Sequence, residues 1–247
     1  MSNIVKKAIG VLKSPKKRTI ILAQRGFFKN MSDEDFLKMQ FKNVFGYPLD
    51  LDNPKTYSEK LQWLKLYDRK PEYTMMVDKY EVKKYVASKI GEEHIIKTLG
   101  VWDHFDDIDF AQLPNQFVLK CTHDSGGLVI CADKSKLDLA AAKKKIEKSL
   151  KNDYYMQNRE WPYKNVKRRI IAEEYMVDES GYELKDYKIF AFDGEAKAMF
   201  IASDRTNPNE ETKFDFFDMD FNHLPFTNGH PNSKEWDKIK RPKGLDE

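Results

Sequence analysis

Two lysines, a glycine pair and two adjacent glutamates are the residues whose types and spacing could do chemistry. Lys120 lies on the β-rich run QFVLKC, directly ahead of His123-Asp124-Ser125-Gly126-Gly127. A strand holds its side chains rigidly, and glycines let a backbone approach a polyphosphate closely with its amides aimed at the oxygens. Lys79 stands at the start of the helical pattern DKYEVKKYVASKI, where an ammonium and helix-end amides together suit an anion. Lys188 lies on DYKIFAF with Asp186 on the same face, where the two either serve a ligand or neutralise each other. Glu173-Glu174 follows an apolar strand start; a carboxylate there can accept bonds from ribose hydroxyls while the adjoining backbone reads the edge of a purine. Taken singly, each has a plainer reading: a lysine on an exposed sheet face beside a hairpin turn, or a solvent-facing edge pair.

Other constellations carry less. Neither G-x-G-x-x-G nor G-x-x-x-x-G-K-[ST] occurs, which removes dinucleotide-binding and Walker-type sites. Cys121-x-His123 lacks two of the partners a zinc site needs, so a buried cysteine beside a loop histidine is the simpler reading. No G-x-S-x-G is present. Trp161-Pro162-Tyr163 could stack a sugar ring, although loop packing is the safer reading. Asp218-Met219-Asp220 has the D-x-D form, but turn or edge roles suit Asp215, Asp218 and Asp220 better, and no metal ligand is assigned.

The elements that must position these residues change period along the chain. Thr56 precedes Glu59 with capping-box spacing, and Tyr57, Leu61 and Leu64 then share a face. After a break at Lys70-Pro71, Asp78 and Glu81 repeat that spacing; Val82, Tyr85, Val86 and Ile90 form the expected buried stripe, and Gly91 ends the helix. Short strands are expected over 117–122 and 128–131, with Phe117, Leu119 and Cys121 on one face and Val118, Lys120 and Thr122 on the other. A helix over about 138–150 turns Leu139, Ile146 and Leu150 inward. A strand follows over 170–176, then a hairpin turning at Asp193-Gly194, then the alternating KFDFFDMDFN. Helices first and antiparallel strands afterwards argue for an α+β fold, not an alternating parallel sheet.

The order of these pieces resembles the ATP-grasp fold, in which a nucleotide sits in a cleft between two α+β lobes. More closely, YSEKLQWLKLYDRKPEYTMMVDKYEVKKYV, LPNQFVLKCTHDSGG, NREWPYKNVKRRIIAEEYM and DYKIFAFDGEAK are similar to the TupA-like ATP-grasp family of bacterial cell-surface polysaccharide biosynthesis, whose members are often labelled glycosyltransferases. The resemblance covers about residues 30–247. It implies that Lys79 and Lys120 contact the nucleotide phosphates and that Ser125, Gly126 and Gly127 form a flexible flap over them. It further implies that Glu173, Glu174, Tyr175 and Met176 are a hinge strand reading adenine and ribose. Lys188 would sit near the phosphates or the reacting carboxylate. Arg205 would meet the acceptor's negative charge, with a surface-loop arginine as the alternative. ATP and Mg²⁺ are the implied cofactors, the metal held by carboxylates and usually an Asn on a hairpin after the PKGLDE segment. With the sequence ending at Glu247, the C-terminal part is expected to be incomplete and those ligands missing.

The expected organisation is a basic arm over 1–32, a mainly helical region over 33–115, a small lobe with the Gly-rich flap over 116–175, and the start of a β-rich C-terminal lobe over 176–247. The expected activity is that of an ATP-dependent carboxylate–amine ligase of capsule, exopolysaccharide or teichuronopeptide-type synthesis, working through an acyl phosphate. The alternatives are a glycosyltransferase using a nucleotide sugar and a nucleotide-binding protein without turnover. The partners would be a nucleotide and a saccharide or uronic-acid acceptor.

Composition bounds the rest. The 247 residues suffice for a real core, and two cysteines exclude a disulfide scaffold. No apolar run approaches the roughly 20 residues of a membrane span, and the basic start lacks the features of a secretion signal, so a cytoplasmic protein is expected. Residues 1–32 hold eight Lys or Arg and no acid, whereas the whole chain holds 43 basic and 40 acidic side chains, so the remainder is net acidic. Such an arm suits peripheral contact with an anionic membrane, a solvated tail being the plainer reading. No nucleic-acid module is recognisable, and no nucleic-acid partner is expected.

Overall fold

The computed structural model describes residues 14–178, 181, 184–205 and 209–245, apart from the side chains of Lys16 and Lys17. It is mixed α+β with two antiparallel sheets, and the chain divides into two compact units, Met1–Tyr175 and Met176–Glu247.

The first unit opens with helices α1 (Pro15–Gln24), α2 (Asp33–Phe45), α3 (Tyr57–Tyr67), α4 (Pro71–Val77) and α5 (Glu81–Ile90). The capping box at α3 forms as expected: Thr56 Oγ1 accepts from the Glu59 amide, and the Glu59 carboxylate accepts from the Thr56 amide. Pro71 does not merely break the pattern; it occupies the first position of α4, where its missing N–H costs nothing. Phe36, Leu37, Phe41, Leu49 and Leu51 make a helical core with Ala23 of α1. Its polar anchor is Asp33, which takes Arg69 at 2.8 Å, Arg159 at 3.3 Å and the Tyr155 hydroxyl. Arg159 is 1% exposed; it also donates to the Phe28 carbonyl and lies 4.5 Å over the Phe36 ring.

Four strands follow: β1 (Thr98–Trp102), β2 (Phe117–Cys121), β3 (Leu128–Cys131) and β4 (Ile170–Glu174), in the order β1-β4-β2-β3. Between β3 and β4 lie α6 (Leu139–Lys151) and the single turn α7 (Tyr155–Asn158). Phe117, Leu119, Cys121, Ile170 and Ala172 pack with Phe105, Leu113 and the α6 residues Ala142 and Ile146. Alternation sends Lys120 and Glu173 to the other face. Two expected stripes differ from the structure. On α5, Val82 and Val86 are half-buried but Tyr85 and Ile90 are exposed, and on α6 Leu139 is exposed. The polar pocket described below uses the inward face of α5, so an apolar stripe along the full helix is not required there.

The second unit is a meander, β5 (Asp186–Phe192), β6 (Glu195–Ser203), β7 (Lys213–Asp218) and β8 (His223–Leu224). The β5–β6 hairpin turns at Asp193-Gly194, both with positive φ, as a tight two-residue turn requires. Met199, Ile201 and Phe217 are its buried core. Asp218 accepts from the Asn222 amide and side chain in a turn. Asp215 is not at an edge: it is fully buried, accepting from the Ser233 amide at 3.0 Å with His223 Nε2 at 3.3 Å.

Candidate functional site

The β4 strand is the middle of the site because β1 and β2 flank it and Val118 and Thr98 both pair with Glu173. Glu173 is 5% exposed, a placement a carboxylate tolerates only when paired. Lys120 Nζ lies 2.5 Å from one of its oxygens and Lys83 Nζ 2.6 Å from the other. Burial pushes the Glu173 carboxyl up, but Lys120 and Lys83 outweigh it and hold the group below its ordinary value.

Above this ion cluster opens a pocket of about 270 Å³ lined by Lys79, Lys83, Lys120 and Glu173 and, on its apolar side, by Val82, Val86 and Ile96. Lys79 completes it from the turn before α5. Its Nζ donates to the carbonyls of Cys121, at 3.0 Å, and Asp124. Burial pushes the Lys79 ammonium below its ordinary value against the opposing charge of Asp124. The helix-end amides invoked for Lys79 are not available to an anion. Asp78 Oδ1 accepts from the amides of Tyr80 and Glu81, and the Lys79 amide donates to Thr122. Arg169 locks this corner, its Nη2 lying 2.8 Å from both Asp78 and Glu81.

The glycine loop is anchored at its roots. Asp124 accepts from the Gly127 amide and from Ser149 Oγ, and Ser125 meets the Tyr154 hydroxyl at 3.1 Å. A Cβ on Gly127 would stand 2.3 Å from Ser149 Oγ, whereas one on Gly126 would meet nothing closer than 3.8 Å. Ser125 and Gly126 are therefore the exposed tip, and neither amide donates to any described residue. His123 is buried, its Nε2 3.2 Å from the Asn152 carbonyl, and burial pushes its imidazole below the ordinary value.

The expected site residues separate as follows. Lys79, Lys120 and Glu173 come together, with the loop root joined to them through the Asp124 carbonyl. Glu174 points away from Glu173, into a second depression of about 430 Å³ with Tyr175, Lys97, Asn115 and Gln116. The regular strand stops at Glu174, not at Met176; Tyr175 closes the first unit and Met176, exposed, opens the second. Lys188 and Arg205 belong to the second unit, where both pair with Asp186, Lys188 Nζ at 2.6 Å and Arg205 Nη1 at 2.8 Å. Trp161-Pro162-Tyr163 forms a half-buried helical turn, with Tyr163 packed edge-on against Tyr154.

Sequence reasoning missed Lys83, Asp124 and Arg169. Lys83 was detectable, since it follows Lys79 by four residues, one helical turn away. Asp124 has a local bond to Gly127, but its contact with Ser149, 25 residues on, and that of Arg169 with Asp78, 91 residues back, are signalled by no local pattern.

The cations fit a polyphosphate: they surround one cavity, and Lys79 has no carboxylate partner among the described side chains. Mg²⁺ is different. Among the described residues no group of three His, Cys, Asp or Glu side chains gathers to hold a metal, so these donors do not fit the ion. No curated protein and no solved structure matches the chain. The family model described as TupA-like ATPgrasp matches residues 59–247. That stretch is well over half of the sequence and contains every residue of the lysine pocket, and the chain belongs to the TupA-like ATPgrasp family.

Proposed function

We propose that the chain is an ATP-dependent carboxylate–amine ligase of cell-surface polysaccharide synthesis, with its phosphate site at Lys79, Lys120 and the Ser125–Gly126 tip. The observation that carries this reading is the pocket in which Lys79 joins two ammonium groups, Lys83 and Lys120, that hold a buried carboxylate, in a member of an ATP-grasp family. Glu173 offsets one of the three ammonium charges of Lys79, Lys83 and Lys120, so the pocket keeps a positive excess, and an entering triphosphate gains both Lys79 and a share of Lys120.

In the proposed reaction an acceptor carboxylate oxygen attacks the γ-phosphorus of ATP and ADP leaves. An amine then attacks the carbonyl carbon of the acyl phosphate, releasing phosphate and a proton and forming the amide bond. The lysines orient the phosphate chain and spread its charge, and the loop tip shields the acyl phosphate from water. Lys188 and Arg205 are both paired with Asp186 within the second unit, and no step is assigned to them. No step is assigned to Mg²⁺, because the described donors do not fit it.

The nucleotide-sugar reading has no comparable support, since Asp218 of the D-x-D run is already satisfied by Asn222. A thermal-shift comparison of ATP with UDP- and GDP-sugars separates the two. The ligase reading expects a rise with ATP alone, and phosphate release with ATP, a uronic acid and an amine. A rise with nucleotide sugars alone contradicts it, and ATP binding without phosphate release for any such acceptor supports binding without turnover.

A further inference from the structure

A different part of the molecule carries a surface that the nucleotide reading does not use. After α1 the chain makes a turn in which Gly26, at φ 78°, lets the Phe27 amide reach the Leu22 carbonyl at 3.0 Å. The two phenylalanines that follow part ways. Phe28 turns inward onto Phe36, its carbonyl held by Arg159 at 2.7 Å. Phe27 turns outward and is 70% exposed, the most exposed of the large apolar side chains among the described residues. Arg25 and Lys29 flank it, both exposed and neither meeting a carboxylate among the described residues. Arg159 is itself buried, so the turn that displays Phe27 is fixed from beneath and the ring is held in water by design of the fold.

The sequence leading up to this ring is one-sided in charge. No acid occurs before Asp33; Asp33 is turned onto Arg69, Arg159 and Tyr155, and the exposed Glu34 and Asp35 that follow are engaged by Lys38 and Ser32. The family match begins at residue 59, so this arm lies outside the portion that makes the chain a TupA-like protein.

We propose that the turn after α1 docks the protein on an anionic lipid bilayer, with Phe27 as the apolar anchor and Arg25 and Lys29 as the electrostatic contact. An aromatic ring with a flat apolar body suits the headgroup boundary, and a basic patch alone or an apolar anchor alone binds weakly, whereas the two together bind well. Each Lys or Arg held near an anionic leaflet strengthens binding by about fivefold, and the effect falls off within a Debye length. The other lysine-rich element, α6, lacks this combination: Lys143 is paired with Asp106 and Glu147, and no aromatic ring stands among its lysines. Single-stranded nucleic acid would also meet the charge and stack a base on the ring, so an RNA homopolymer is the competing ligand in the test.

The test is co-sedimentation of the full chain with phosphatidylcholine vesicles, with and without phosphatidylglycerol. Binding is expected only with phosphatidylglycerol and is expected to collapse as salt is raised. Arg25→Ala with Lys29→Ala should weaken it by about 25-fold, two steps of about fivefold. Phe27→Ser should weaken it severalfold while leaving the unfolding midpoint unchanged, because the ring is exposed. Lys144→Ala with Lys148→Ala removes the same charge from α6 and should leave binding intact. Equal binding to neutral vesicles, equal loss in the two double variants, wild-type binding by the Phe27 and Arg25/Lys29 variants, or preferential capture of an RNA homopolymer would each overturn the proposal.

Discussion

Glu173 is the residue on which the electrostatics of the pocket turn. A buried carboxylate between two ammonium groups is stable only while all three charges are present. Glu173→Gln leaves Lys83 and Lys120 against a neutral amide, and Lys83→Met leaves the carboxylate half-paired; removing one member of a buried ion cluster costs about 3 kcal/mol. Urea denaturation should show both losses. The pH dependence has a definite sign. Because the native carboxyl lies below its ordinary value, the unfolded chain binds the proton first as pH falls. The contribution is full above about pH 4.5 and is lost as pH drops through the native value, so the gap between wild type and Glu173→Gln should narrow on acidification. Lys79 behaves oppositely. Its lowered native value means that phosphate arriving beside it restores the proton, so nucleotide binding should take up protons in alkaline buffer below about pH 10.5. Calorimetry in buffers of different ionisation enthalpy measures this. Lys79 and Lys120 were legible in the sequence because each stands at the end of a recognisable element. Glu173 was read for its carboxylate but not for its partners, since Lys83 and Lys120 reach it from a helix and a neighbouring strand.

At the scale of elements, the glycine loop divides into a fixed root and a free tip. Gly127→Ala should lower stability by about 1–3 kcal/mol, as its Cβ would press on Ser149 and the Cys121 sulfur. Gly126→Ala should leave stability within about 0.5 kcal/mol, since the site is open, and should weaken nucleotide binding if the tip approaches the phosphates. Denaturation and binding measured on the same two variants separate the roles. The sequence showed both glycines but could not distinguish them, because the difference lies in α6, whose Ser149 arrives from 22 residues away. Local devices were read correctly where the chemistry is local: the Thr56–Glu59 box and the Asp193-Gly194 turn formed as their residues require. The α5 stripe was misread for the complementary reason. Periodicity says which residues share a face but not whether that face meets a core or a polar pocket, and here Lys83 lies beside Val82 on the inward side.

For the whole molecule, two antiparallel sheets in two units and a family match over residues 59–247 agree with the α+β, ATP-grasp class that the order of motifs implied. The charge asymmetry was equally visible in the sequence; the outward ring that gives it a use was not, because nothing in Phe27-Phe28 says which ring the fold buries. The central claim is that the pocket of Lys79, Lys83, Lys120 and Glu173 holds the phosphates of ATP. The direct measurement is calorimetric titration of ATP into the full chain, its Lys79→Met and Lys120→Met variants, and Lys188→Met as a change in the second unit. The account predicts saturable binding by the wild type and at least tenfold weaker binding by the Lys79 and Lys120 variants, each having lost a charge-assisted contact of about 1.5–3 kcal/mol. Wild-type affinity in both of those variants, or no ATP binding by the intact chain, would contradict it.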